Sequence, residues 1–132
     1  MKYLIDTDWV IDHLRHQERV TRRLEDLVGE GLAISVVSLA ELYEGVYYSS
    51  NPTASEQALQ QFLDPELTIL GIDEECAKIF GKERGRLRAA GTLIGDCDLL
   101  IGATALRHNL TILTNNRSHF ERIIGVRLES IS

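Results

Sequence analysis

Cysteine and proline are both scarce, with two of each in 132 residues. Cys76 and Cys97 have neither the spacing of a disulfide framework nor that of a CxxC pair, which excludes a disulfide scaffold and fits a reducing compartment. So little proline, beside 44% hydrophobic and 26% charged residues, excludes disordered and fibrous classes. No apolar run approaches the roughly 18 to 20 residues of a membrane span, and Met1-Lys2-Tyr3 leads straight into a strand-like segment with no export-signal pattern. A cytoplasmic location with no membrane partner is therefore expected. Linkers, repeats and low-complexity stretches are also missing, so residues 1–132 are read as one domain, a length that needs no metal or disulfide merely to fold. Cations are in the minority: 14 Lys plus Arg against 20 Asp plus Glu give a formal net charge of −6. Taken alone, that balance argues against a nucleic-acid partner.

What is present is an alternation of short apolar runs and longer amphipathic ones. Lys2 to Ile5 reads as a strand stopping at Asp6-Thr7-Asp8. From Trp9 a helical spacing runs through Val10, Ile11 and Leu14 to Val20, Leu24, Leu27 and Val28, with Gly29 and Gly31 as stops. Ala33 to Val37 is a second strand, Ser38 opens a helix, and a further helix ends near Leu63, followed by a strand at Leu67 to Leu70. Asp73 to Ala90 is the best-marked helix, with acids in its first turn and Gly91 at its end. Asp98 to Leu106 is nearly all apolar and reads as a buried helix, Thr111 to Leu113 as a strand, and Val126 to Leu128 as an edge strand. Strands alternating with helices imply an α/β fold in three α/β/α layers around a mostly parallel sheet. Ligands in such sheets bind beyond the carboxyl ends of the strands.

Acids gather at those ends. Asp6 and Asp8 follow the first strand, Glu41 follows the second, Asp96 and Asp98 open the buried helix, and Thr114-Asn115-Asn116 follows the fourth strand. Each has a plain structural explanation. Glu41 stands three residues after Ser38, the spacing of a capping box; Asp96 or Asp98 would serve as a helix cap, and so would Thr7 or Asp8. Asp6 is harder to explain that way, because a carboxylate directly after a buried strand must be paired or desolvated. Converging carboxylates about 4 Å apart repel by about 4 kcal/mol per pair at an effective dielectric near 20. With no Lys or Arg in the motifs they call for a cation, and an oxygen-only donor set favours Mg²⁺ or Mn²⁺ over zinc.

The segments YLIDTDWVI, SVVSLAELYEG, GTLIGDCDLLIGATALRHNLTILTNN and the closing His119-Phe120 resemble, in order and over essentially the whole chain, the PIN-domain ribonucleases. They look most like the VapC-type toxins of toxin–antitoxin pairs. That resemblance implies a metal-dependent endoribonuclease that inhibits translation or growth, with RNA as substrate, a small VapB-like antitoxin as partner and a homodimer as the assembly. It places the family's acids on Asp6, Glu41 and Asp98, as ligands of Mg²⁺ or Mn²⁺, with Asp96 auxiliary. The fourth, commonly acidic position falls on Asn116, an uncharged departure that favours one well-held ion.

Other features compete for attention. The Lys82 to Arg88 run is read as a solvated helix face before an RNA track; Cys97 is read as a packed thiol; and His119-Phe120 as a loop anchor. Tyr43 and Tyr47 share a helix face that suits core packing or a partner about equally. A haloacid-dehalogenase-like phosphatase would use Asp6 as nucleophile and Asp8 as acid/base, but it leaves Glu41 unexplained. A catalytically inactive PIN-fold binding module is the other alternative. Without Asp6, Glu41, Asp96 and Asp98 the acids number 16 against 14 cations, so the location of the acids, rather than their total, bears on the partner.

Overall fold

The computed structural model describes residues 1–131. Strand β1 (Tyr3–Ile5) is followed by helices α1 (Thr7–Leu14) and α2 (Glu18–Leu27), then β2 (Leu32–Ser35), α3 (Val36–Tyr47), α4 (Pro52–Phe62) and β3 (Thr68–Leu70). Helices α5 (Glu74–Ala89) and α6 (Asp96–His108), β4 (Thr111–Leu113), a short α7 (Arg117–Phe120) and β5 (Arg127–Glu129) complete the chain. The strands form a five-stranded sheet in the order β3-β2-β1-β4-β5, every pair parallel.

Alternation along the strands builds two cores. Leu4 lies beside Ala33 and Ile112, and all three point into a cluster with Leu87, Leu99 and Phe120 from α5, α6 and α7. One residue on, Ile5 lies beside Ile34 and Leu113, and these point the opposite way, among Trp9, Leu24, Leu42 and Leu59 of α1 to α4. The three expected layers follow from this period of two. Each fully buried Leu or Ile contributes about 1.5–3 kcal/mol relative to exposure, so the central strands β1 and β4 tie both cores together. The expected strand near Val126 sits at the sheet edge as β5, shifted by one residue.

Three features depart from the sequence expectation. The helical spacing from Trp9 to Val28 is two helices, because α1 ends in a Schellman turn at His16. Its amide reaches the His13 carbonyl, and the Gln17 amide reaches Asp12, with His16 at φ 63. Second, β2 stops at Ser35, whose hydroxyl accepts a hydrogen bond from the Val37 amide at 3.1 Å and caps α3. The helix therefore opens at Val36 and not at Ser38, and the Ser38–Glu41 capping box does not form. Third, Gly95 is the N-cap residue of α6, so neither Asp96 nor Asp98 has a capping role.

Candidate active site

In register, Ile5 of β1 lies beside Leu113 of β4, so the next residues, Asp6 and Thr114, meet at the carboxyl edge of the sheet. The Asp6 amide continues the ladder to the Leu113 carbonyl at 3.0 Å. Asp6 caps α1, accepting from the Thr7 amide at Oδ1 (2.8 Å), and its Oδ2 accepts from the Thr114 hydroxyl at 2.7 Å. It is only 4% exposed. Burial foremost, then the charges of Asp8 and Asp98, push its carboxyl up to about 7 against the two hydrogen bonds.

Thr114 and Thr7 spread these contacts outward. The Thr114 hydroxyl also accepts from the Asn116 amide (2.9 Å), while Asp8 Oδ2 accepts from the Asn115 amide at 2.9 Å. Asp8 Oδ1 is buried and makes no hydrogen bond among the described residues, and burial foremost raises this carboxyl as well, against the pull of the Asn115 and Trp9 amides. Thr7 Oγ1 donates to Glu41 Oε1 at 2.7 Å, which draws the exposed Glu41 of α3 toward β1. Asp98, in the first turn of α6, accepts at Oδ2 from Asn116 Nδ2 (3.2 Å) and lies 2.7 Å from His119 Nδ1. Asp96 points elsewhere, held by Arg84 Nε of α5 at 3.0 Å.

Asp6, Asp8, Glu41 and Asp98 thus assemble from three helices around one strand end, with Asn116 beside them. None of the ion pairs among the described residues takes a Lys or Arg to any of these four acids. Cys97 is exposed, not packed. Partial burial and then the carboxylates of Glu41, Asp98, Asp96 and Glu44 raise its thiol, which shows how densely acids surround this corner. Among the described residues, no three His, Cys, Asp or Glu side chains close into a preformed metal cage. The donor set still suits a hard divalent cation: its acids offer only oxygens, no Lys or Arg among the described residues pairs with them, and one buried carboxylate oxygen makes no hydrogen bond there.

Asp6, Glu41, Asp98 and Asn116, expected from the sequence, are brought together here, whereas Asp96, in the same first turn of α6 as Asp98, is held by Arg84. The sequence reading missed Thr7 and Thr114 as the hydroxyls that link the acids, and gave His119 only a loop-anchoring role. Thr114 occupies on β4 the position that Asp6 occupies on β1, a signal visible once those strands are known to be neighbours. Two of the four cations in the basic run on α5 are engaged structurally. Arg86 pairs with the nearly buried Glu83 and reaches the Arg122 carbonyl, while Arg84 holds Asp96.

The fold and site together define a parallel α/β domain with a cluster of acids, unpaired by Lys or Arg among the described residues, at the carboxyl edge of its sheet. The chain belongs to the PIN domain family, whose model matches residues 3–125. The Haemophilus influenzae protein named Ribonuclease VapC2 is 33% identical over 131 residues, 98% of each chain. The Salmonella typhimurium protein named tRNA(fMet)-specific endonuclease VapC is 30% identical over 129 residues, covering 98% of this chain and 97% of that one. Among solved structures, VapBC2 from Rickettsia felis, bound to a DNA fragment from its promoter, contains a chain that matches all of this one with a TM-score of 0.93 at 33% identity. Membership in this family sets aside the haloacid-dehalogenase reading.

Proposed function

We propose that this chain is an endoribonuclease, the toxin of a toxin–antitoxin pair, and that it hydrolyses RNA phosphodiester bonds with Mg²⁺ or Mn²⁺. The carrying observation is the gathering of Asp6, Asp8, Glu41 and Asp98 at the end of β1 and β4 with no Lys or Arg paired to them among the described residues and with Asp8 Oδ1 buried without a hydrogen bond there. Asp6 and Asp98 would hold the ion with Glu41, directly or through water, and Asp96 would be auxiliary. When bound, such an ion lowers the pKa of water and neutralises charge on a phosphodiester.

The chain's own residues do the rest. Thr114 and Thr7 hold the two oxygens and the backbone turn of Asp6 in place, and Thr7 delivers Glu41 to the same corner. Glu41, exposed and held at one oxygen, is free to orient an attacking water with the other. Asn116 fixes Asp98. The partner most consistent with the VapBC neighbours is a VapB-like antitoxin. A groove of about 280 Å³ between α1, α3 and α4, lined by Ile11, Leu14, Leu42 and Val46 with Arg15 and Glu41, offers such a segment a seat that reaches Glu41. A homodimer and a cytoplasmic setting complete the reading; no helix among the described residues is long and apolar enough to cross a membrane.

The test is RNA-end sequencing after expression of the chain without its partner, beside Asp6→Asn and Asp98→Asn controls. The native chain is expected to generate new 5′ ends with Mg²⁺ or Mn²⁺, and both variants, folded by circular dichroism, are expected to generate none. Full cleavage by either variant would sink the assignment. Absence of cleavage by the native chain, freed of any partner, would favour the inactive PIN-fold module that the uncharged Asn116 suggests.

A further inference from the structure

We infer that His119 is a positioning residue that, with Asn116, fixes the Asp98 carboxylate for cation binding, an inference that rests on the proposed role of Asp98 at the metal. His119 Nδ1 lies 2.7 Å from Asp98 Oδ2, and because an ionised carboxylate only accepts, the ring donates to it in the tautomer that carries its proton on Nδ1. Asn116 Nδ2 donates to the same oxygen at 3.2 Å. The 3.1 Å between Asn116 Nδ2 and His119 Nδ1 is the spacing of two donors that share one acceptor. Asp98 Oδ1 has no hydrogen-bond partner among the described residues, so the two donors hold one oxygen and leave the other open to a ligand.

The fold explains how His119 reaches this place. Phe120, next in α7, is fully buried, and Ile123 is nearly so. Both pack against Gly102 of α6, where an added Cβ would fall 2.4 Å from Ile123 Cδ1. Gly102 is four residues after Asp98 and so shares its helix face. Docking of α7 onto the very face that carries Asp98 therefore puts His119 against the carboxylate. His119 is only partly buried, its side chain 41% exposed while that of Asp98 is 21% exposed. Its ordered contacts are those to Asp98 and Asn116, which is the pattern of a carboxylate-orienting group. Such partners typically carry about 10–100-fold of metal affinity.

The experiment is a Mn²⁺ titration, read by the EPR signal of free Mn²⁺, on the full chain separated from any partner, with metal-free thermal midpoints measured in parallel. His119→Ala is expected to weaken Mn²⁺ binding by about tenfold or more with the midpoint unchanged. His119→Asn, which keeps an N–H donor near the place of Nδ1, is expected to recover most of the affinity. Native-like affinity in His119→Ala, or equal losses in both variants, would overturn the inference. An Asp98→Asn control separates the two levels of the argument. If it binds Mn²⁺ as tightly as the native chain, the role of Asp98 falls and this inference with it; if it binds weakly while His119→Ala does not, only the role of His119 falls.

Discussion

Asp6 serves two ends that oppose each other. It caps α1 and anchors the acidic corner, yet its position directly after a buried strand removes it from water and raises its carboxyl to about 7. The sign of the consequence is fixed. A folded-state pKa above the ordinary 3.8 means that the folded protein binds more protons than the unfolded chain between about pH 4 and 7, so without metal stability falls as pH rises through that window. Asp8, raised by burial too, adds to the same trend. His13 opposes it below 6.5, because burial lowers its ring pKa and stability is lost there as pH falls. The useful quantity is therefore the difference between the native chain and Asp6→Asn. In chelator, urea midpoints at pH 5 and pH 8 should show the native chain losing a few kcal/mol relative to the variant as pH rises. A variant that tracks the native chain at both pH values would mean that Asp6 ionises freely.

At the scale of elements, two serines three residues apart separate the sequence expectation from the structure. Ser35 caps α3, while Ser38 is buried inside the helix with its hydroxyl unpartnered. Ser35→Ala should cost about 1 kcal/mol, seen as a thermal midpoint lower by a few degrees. Ser38→Ala removes an unsatisfied buried hydroxyl and should be neutral or stabilising. The reverse order would restore the capping box at Ser38–Glu41. The sequence misled at this point because Val36 and Val37 continue the β-branched run of the strand, and only the side-chain hydrogen bond of Ser35 ends it. His16 hid the break between α1 and α2 in a similar way, since a left-handed residue other than glycine carries no strong sequence mark. Gly91, at φ 71, does carry one, and the end of α5 was legible from it. The acids were legible for different reasons: Asp6 and Asp98 stand at element boundaries that periodicity can locate, whereas Glu41 lies inside α3 and was legible only from the segment SVVSLAELYEG. Thr114 and His119 were not, because their roles depend on β4 lying beside β1 and on α7 docking against Gly102, and these are facts of sheet order and packing.

For the whole molecule, the net charge of −6 conceals an uneven distribution. Three helices, α1, α3 and α6, begin at or near the carboxyl edge of the sheet, and their N-terminal ends supply partial positive charge where the acids gather. Each helix end offsets only about 0.3–1 kcal/mol at exposed sites, less than the roughly 4 kcal/mol repulsion of a close carboxylate pair at an effective dielectric near 20. The fold therefore carries a residual charge strain that a divalent cation would relieve, and relief should depend on pH through Asp6. At pH 8, with Asp6 ionised, Mg²⁺ at about a hundred times its dissociation constant should add about 2.7 kcal/mol, read as a higher thermal midpoint that chelator reverses. At pH 5 protons occupy the same carboxylate and the gain should shrink. In Asp6→Asn the gain should be small at both pH values. An equal rise in midpoint for the native chain at pH 5 and pH 8, or an undiminished rise in Asp6→Asn, would place the ion away from the end of β1 and leave the acidic corner without its proposed occupant.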